Sequence, residues 1–188
     1  MKARVKEAEL VLLYGLEETP SKEQKITDIL KKLAMPYRAL DDRMLGETLG
    51  YAAGLEGYGP SGQPYEGESI KREALLMKGL SEKRLNQLLS SLREAGASVH
   101  LKAVITKHNR DWKLYDLFHE LQEEHDTIEA YHQLRRAYAA GCARDISSLS
   151  EPQRQEWSAL LAACRELLES REPFEKGVYQ QAAQRLFF

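Results

Sequence analysis

Leu10-Val11-Leu12-Leu13-Tyr14-Gly15-Leu16 and Ala74-Leu75-Leu76-Met77-Lys78-Gly79-Leu80 are the two stretches on which the fold turns. Each is a short apolar run, the length of a buried strand, closed by Gly-Leu. Each is followed by a helical stripe at i, i+3, i+4, i+7: Ile26, Ile29, Leu30 and Leu33 in one case, Leu85, Leu88, Leu89 and Leu92 in the other. A second strand pattern comes next in both. It is Tyr37-Arg38-Ala39-Leu40 after Pro36, and the alternating run over 99–106 after Gly96. Setting aside about five extra residues in the first loop pairs Ile26 with Leu85, Ile29 with Leu88, Leu30 with Leu89 and Leu33 with Leu92. The chain reads as a duplication.

Two strand–helix–strand units predict an α+β fold, with one four-stranded sheet and helices packed on it. A ferredoxin-like split arrangement is the first expectation, a small doubly wound sheet the second. The expected core is Leu12, Leu30, Leu33, Leu76, Leu88, Leu89, Leu92 and Val104, each on the apolar face of its element. A short helix is expected around Leu45, Leu49 and Tyr51, and a long one starting over Trp112 to Phe118. The duplicated domain then covers 1–125, with halves at about 10–53 and 74–121.

Between the halves, residues 54–67 hold five Gly and two Pro, which forbids regular structure there. The stretch is a mobile connector, or a lid that folds Tyr58 and Tyr65 over a site.

After residue 118 strand patterns stop, and the basic residues become seven Arg to one Lys, against seven Arg to twelve Lys before it. The region 126–188 is expected to be a helical extension. Ser150 before Glu151-Pro152 starts a helix with an apolar stripe at Trp157, Leu160, Leu161, Cys164, Leu167 and Leu168. So much apolar face, with Leu186-Phe187-Phe188 at the end, needs a cover. The sheet domain could supply it, or the same helices of a second chain. The second is preferred, which makes a homodimer through the C-terminal helices the expected assembly.

The whole chain has 188 residues, 43% hydrophobic and 30% charged, with a formal charge of -2. That is an ordinary globular composition, with no excess of basic residues to attract nucleic acid. No apolar run reaches the ~20 residues needed to cross a bilayer. The basic start at 1–7 leads into no secretory apolar stretch. Cys142 and Cys164 match no zinc or redox spacing, and two unpaired cysteines suit a reducing cytoplasm.

One segment has the residues for chemistry. Lys102, Thr106, Lys107, His108, Asn109, Arg110 and Trp112 cluster at a strand-to-helix turn, where donors beside a helix N-terminus would suit a phosphate or carboxylate. The same residues also read as ordinary capping, with Asn109 or Asp111 as the cap and Trp112 as the first core residue. No Gly-rich phosphate loop accompanies them. His125, Glu129 and His132 share one helical face, as metal ligands would, but Glu123, Glu124 and Asp126 around them mark a solvated surface. No metal and no cofactor is expected, and no nucleophile motif stands out.

Leu13-Tyr14-Gly15-Leu16, Leu49-Gly50-Tyr51, Leu76-Met77-Lys78-Gly79-Leu80 and the run from Lys102 to Trp112, followed by Leu117 and Glu120-Leu121, resemble a bacterial family known only as a domain of unknown function, number thirty-seven eighty-three. The resemblance spans roughly residues 10–125. It implies a bacterial cytosolic protein and no reaction, cofactor or substrate.

Two functional expectations arise from these readings. The first is a non-catalytic binding or regulatory module acting through protein–protein contact. The alternative is a small-anion or metabolite-binding protein or enzyme, using the polar turn over 102–112.

Overall fold

β1 (Leu10–Tyr14) and β3 (Ala74–Lys78) lie antiparallel at the centre of a four-stranded sheet, with Leu12 opposite Leu76. β2 (Tyr37–Leu40) runs parallel to β1, and β4 (Leu101–Val104) runs parallel to β3, giving the order β2-β1-β3-β4. This computed structural model describes residues 8–62, 65–171 and 174–187. The basic start at 1–7, Gln63 and Pro64 of the connector, and Phe188 lie outside them.

The protein is α+β, with helices on both faces of the sheet. α1 (Pro20–Lys32) and α3 (Glu82–Glu94) cover one face, burying Ile26, Leu30, Leu88 and Leu92 against Val11, Leu13, Leu75 and Met77. The short α2 (Leu49–Ala52) and the first turns of α4 (Leu114–Ala143) cover the other, burying Leu49, Leu114 and Phe118 against Leu12, Tyr14 and Leu76. Being covered on both sides is why β1 and β3 are continuous apolar runs rather than alternating ones.

The ferredoxin-like expectation is corrected. In that arrangement a third strand separates the two strands of each unit, and the second and third strands form a hairpin. Here β2 pairs directly with β1, and β4 directly with β3. The connection over 41–73 is long enough to carry the chain from the sheet edge back to its centre, so no hairpin forces β2 against β3.

The two units close in the same way. Gly15 and Gly79 follow their strands at φ 69° and 68°, and a Cβ on Gly15 would lie 2.8 Å from the Arg72 carbonyl oxygen. Both helices have 13 residues and end on a left-handed residue, Ala34 at φ 50° and Gly96 at φ 62°. The next amide then reaches back, Met35 N–H to Leu30 O and Ala97 N–H to Leu92 O. These caps pair Ile26 with Leu88 and Leu30 with Leu92, one helical turn away from the pairing read in the sequence. A shift of one turn leaves an apolar stripe almost unchanged, so the stripe alone could not set the alignment.

Three expected core positions move outward. Leu33 and Leu89 are half-buried, and Val104 is 41% exposed. Val104 shares its face with Lys102 on an edge strand, beyond the cover of α3, while Leu101 on the opposite face is buried.

The chain divides into two compact units, Met1–Gln122 and Glu123–Phe188, with the division inside α4. In the second unit the later turns of α4, α5 (Glu151–Glu169) and α6 (Lys176–Arg185) pack around Leu134, Trp157, Cys164, Tyr179, Ala183 and Leu186. α5 starts as its sequence predicts, with the Gln153 side chain accepting from Ser150 N–H at 2.9 Å. Among the described residues, three helices make up this unit. Their apolar faces cover one another, which is a third solution beside the two that the sequence raised. Leu186 docks in this core, while Phe187 is 76% exposed.

Candidate functional site

β4 ends at Val104, Ile105 is buried, and the polar turn comes next. Asn109 closes it: Oδ1 accepts from Thr106 N–H at 2.8 Å, and Nδ2 donates to Val104 O at 3.0 Å. Thr106 Oγ1 accepts from His108 N–H at 3.2 Å. The first strand–helix–strand half closes its own turn in the same manner, with Asp41 Oδ1 accepting from Arg43 N–H at 3.0 Å.

The two turns then meet. Thr48 and Lys113 form an isolated antiparallel bridge, flanked by backbone bonds that exchange roles between the units. Leu49 N–H donates to Trp112 O and Leu114 N–H to Glu47 O, each at 2.9 Å. Gly50 N–H donates to Arg110 O at 2.7 Å, and Tyr115 N–H to Leu45 O at 3.0 Å. α4 therefore starts at Leu114, two residues after Trp112. Its first two amides, the donors that an anion would need, are already bound to carbonyls of the first unit.

Sequence reasoning grouped seven side chains here, and the structure sends them different ways. Lys102 Nζ donates to the carbonyls of Val99 and His100. Its ammonium is held below the ordinary lysine range, first by desolvation and then by repulsion from Lys22. Thr106 and Asn109 close the turn. Lys107 and His108 stand exposed, and Trp112 is 44% exposed rather than a first core residue. Arg110 lies with its guanidinium carbon 5.9 Å from the centroid of the Tyr58 ring. Its Nε is buried without a hydrogen-bond partner. Neither Asn109 nor Asp111 caps α4, because Asn109 is committed to the turn and Asp111 accepts from the Tyr58 hydroxyl. That bond, more than burial, pushes the Tyr58 phenol up.

The connector is anchored against this region at several points. Tyr58 packs on Gly50, where a Cβ would come within 2.5 Å of its ring. Ser61 N–H donates to Glu47 Oε2 at 2.7 Å, and Tyr65 packs on Tyr115 with centroids 5.1 Å apart. The tyrosines thus fold over Arg110, Asp111 and the start of α4, leaving Lys107 and His108 in the open.

Open cavities lie on this part of the chain among the described residues. One of about 560 Å³ is lined by Arg38, Asp41, Arg43, Tyr51 and Tyr58, among others, and one of about 400 Å³ by Gly46, Tyr65, Lys113 and Asp116, among others. None of the seven expected site residues lines either. Sequence reading missed Arg38, whose Nη1 donates to Ala52 O at 3.1 Å, and Lys78, which is buried and donates to Ala53 O at 2.7 Å. Together they satisfy the C-terminal carbonyls of α2. A lysine inside an otherwise apolar strand was the available signal. Among the described residues, no three His, Cys, Asp or Glu side chains converge to hold a metal ion, and His125, Glu129 and His132 form no such group.

One segment of the chain matches a known family. Residues 73–128 match a family described as Domain of unknown function (DUF3783). The DUF3783 segment takes in β3, α3, β4, the polar turn and the first half of α4, so it is the second strand–helix–strand unit together with the helix that succeeds it. The match does not extend over 10–53. No curated protein and no solved structure matches the chain.

Proposed function

We propose that this protein is a non-catalytic binding or regulatory module that acts through protein–protein contact in the bacterial cytoplasm. The observation that carries the reading is the use of the polar turn. Its Thr106 and Asn109 side chains close the turn, its carbonyls accept from Leu49 and Gly50, and the first amides of α4 bind Glu47 and Leu45. Lys107 and His108 are left exposed to solvent. A segment spent in this way joins the two strand–helix–strand halves, which supports a contact module over an anion site. The matching closure of the two units supports their origin as copies. The free thiols of Cys142 and Cys164 are compatible with a reducing compartment, and no helix among the described residues is long and apolar enough to cross a membrane.

A second copy of the chain is the partner we propose. Ile128, Phe174, Val178 and Phe187 are the large apolar side chains that remain exposed in the second unit among the described residues. These, and not the covered stripes of α4 and α5, would form the contact.

A thermal-shift screen of phosphorylated and carboxylated metabolites tests the reading against the small-anion alternative. A ligand at 100 times its Kd adds about 2.7 kcal/mol, which is readily seen. No stabilisation that depends on Lys107 and His108 is expected. A shift that disappears in Lys107→Ala or His108→Ala would put the anion-binding reading in place of the contact module.

A further inference from the structure

α4 ends at Ala143, and the chain passes through 144–150 into α5. A cavity of about 630 Å³ opens here within the second unit, a volume that suits a small organic ligand. Its apolar lining includes Leu149, Trp157 and Leu160, and its charged lining is Arg144, Arg185 and Glu156. Trp157 is fixed in place, 9% exposed, with Nε1 donating to Gly141 O at 3.3 Å. The guanidinium carbon of Arg144 lies 4.9 Å from the Trp157 ring centroid. Stacking occupies the face of a guanidinium and leaves its N–H edge free to grip a planar acid.

Neither Arg144 nor Arg185 has a carboxylate in salt-bridge range among the described residues. Residues 123–188 carry eleven acidic and eight basic side chains, so two unpaired guanidiniums on one cavity run against the charge of their surroundings. Each arginine stands at the end of a helix, where a cation is favoured on its own account. That explains each position singly, but not why both meet at one apolar cavity beside a tryptophan. Glu156 leaves the lining with a surplus of one positive charge, which fits a singly charged acid better than a phosphate or a dicarboxylate.

We propose that this cavity binds a small amphipathic monocarboxylate. Its ring or short chain lies against Trp157 and Leu160, and its carboxylate takes the N–H groups of Arg144 and Arg185. The proposal is independent of the contact-module reading, which rests on the first unit and on other surface residues.

The test uses the full chain carrying Trp112→Phe, so that Trp157 is the remaining tryptophan. Phenylacetate and its neutral counterpart phenethyl alcohol are titrated while Trp157 emission is followed. Phenylacetate is expected to give a saturable change. Binding should be at least about tenfold weaker for the alcohol, and for phenylacetate with Arg144→Gln or Arg185→Gln, as loss of a charged hydrogen bond implies. Thermal melts show whether the Gln variants keep the fold. If one melts early, Arg→Lys at that position keeps the helix-end charge while removing the planar fork, and weaker binding is again expected. No saturable change, equal affinity for acid and alcohol, or unaltered affinity in the folded variants would overturn the proposal.

Discussion

Ala34 sits at φ 50°, where a Cβ crowds the following carbonyl, and Gly96 holds the corresponding place at the end of α3. The first unit therefore carries strain that the second avoids. Ala34→Gly should raise stability by about 0.5 kcal/mol, the relief of the left-handed conformation less the extra freedom that glycine gives the unfolded chain. A lower denaturation midpoint in urea would contradict this. Tyr14 offers a pH test. Its hydroxyl donates to Asp42 Oδ1 at 2.6 Å and accepts from Ile70 N–H at 3.3 Å. Burial first, and that carboxylate second, push its phenol well above the ordinary value of 10.0. The folded state thus holds this proton longer than the unfolded chain does. The stability it contributes is complete below the ordinary tyrosine value and falls as pH rises above it. Tyr14→Phe should cost about 1 to 2 kcal/mol at neutral pH, because Asp42 and the Ile70 amide lose a partner. It should also flatten part of the alkaline loss of stability. Parallel pH curves for the two proteins would show that Tyr14 is not the titrating group.

Among the elements, α3 shows how far periodicity reaches. Leu85, Leu88, Leu89 and Leu92 identify a helix and its apolar side, yet four leucines leave its rotation open by about a residue. Contact with Leu75 and Met77 on the sheet settles it, fully burying Leu88 and nearly all of Leu92 and leaving Leu89 at the margin. Leu88→Ala should therefore cost about 2 to 5 kcal/mol, and Leu89→Ala about 1 kcal/mol, the value of a partly buried methyl or two. Equal losses in a denaturant titration would show the helix to be rotated from its described face. β4 makes the same point at the sheet edge. Alternation is legible over 99–105, but which set of side chains meets a helix depends on how far α3 overhangs the edge. Val104 falls outside it.

For the molecule as a whole, the expectation that the C-terminal helices need an outside cover was an argument from surplus apolar surface. α6 supplies the missing face through Tyr179, Ala183 and Leu186, so the second unit has a core of its own. The self-association proposed above would then rest on Ile128, Phe174, Val178 and Phe187. Light scattering on the full chain is expected to give the mass of a dimer at micromolar concentration, and Phe187→Ser with Ile128→Ser is expected to give a monomer. A wild-type chain that stays monomeric at high micromolar concentration would remove the second copy as partner.

The local elements follow from short-range patterns in the chain. Central apolar runs, Gly-Leu endings, Ser150 at a helix start and Gly96 at a helix end each act through neighbours a few residues away. That range is short enough to read directly. The sequence also marked the order of the two units and the family resemblance of the segment around the polar turn. The tertiary fold settles that each strand–helix–strand half stays unsplit, that the α1 and α3 stripes align one turn from where they seemed to, and that Lys102 turns to the Val99 and His100 carbonyls while Lys107 and His108 stay exposed. It also decided that the amides at the start of α4 are spent on Leu45 and Glu47. Pairing partners and spent donors depend on which segments meet across dozens of residues, and an unpaired donor looks the same in a sequence as a paired one. The polar turn drew attention because its residue types could bind a ligand; its backbone instead joins the two strand–helix–strand halves.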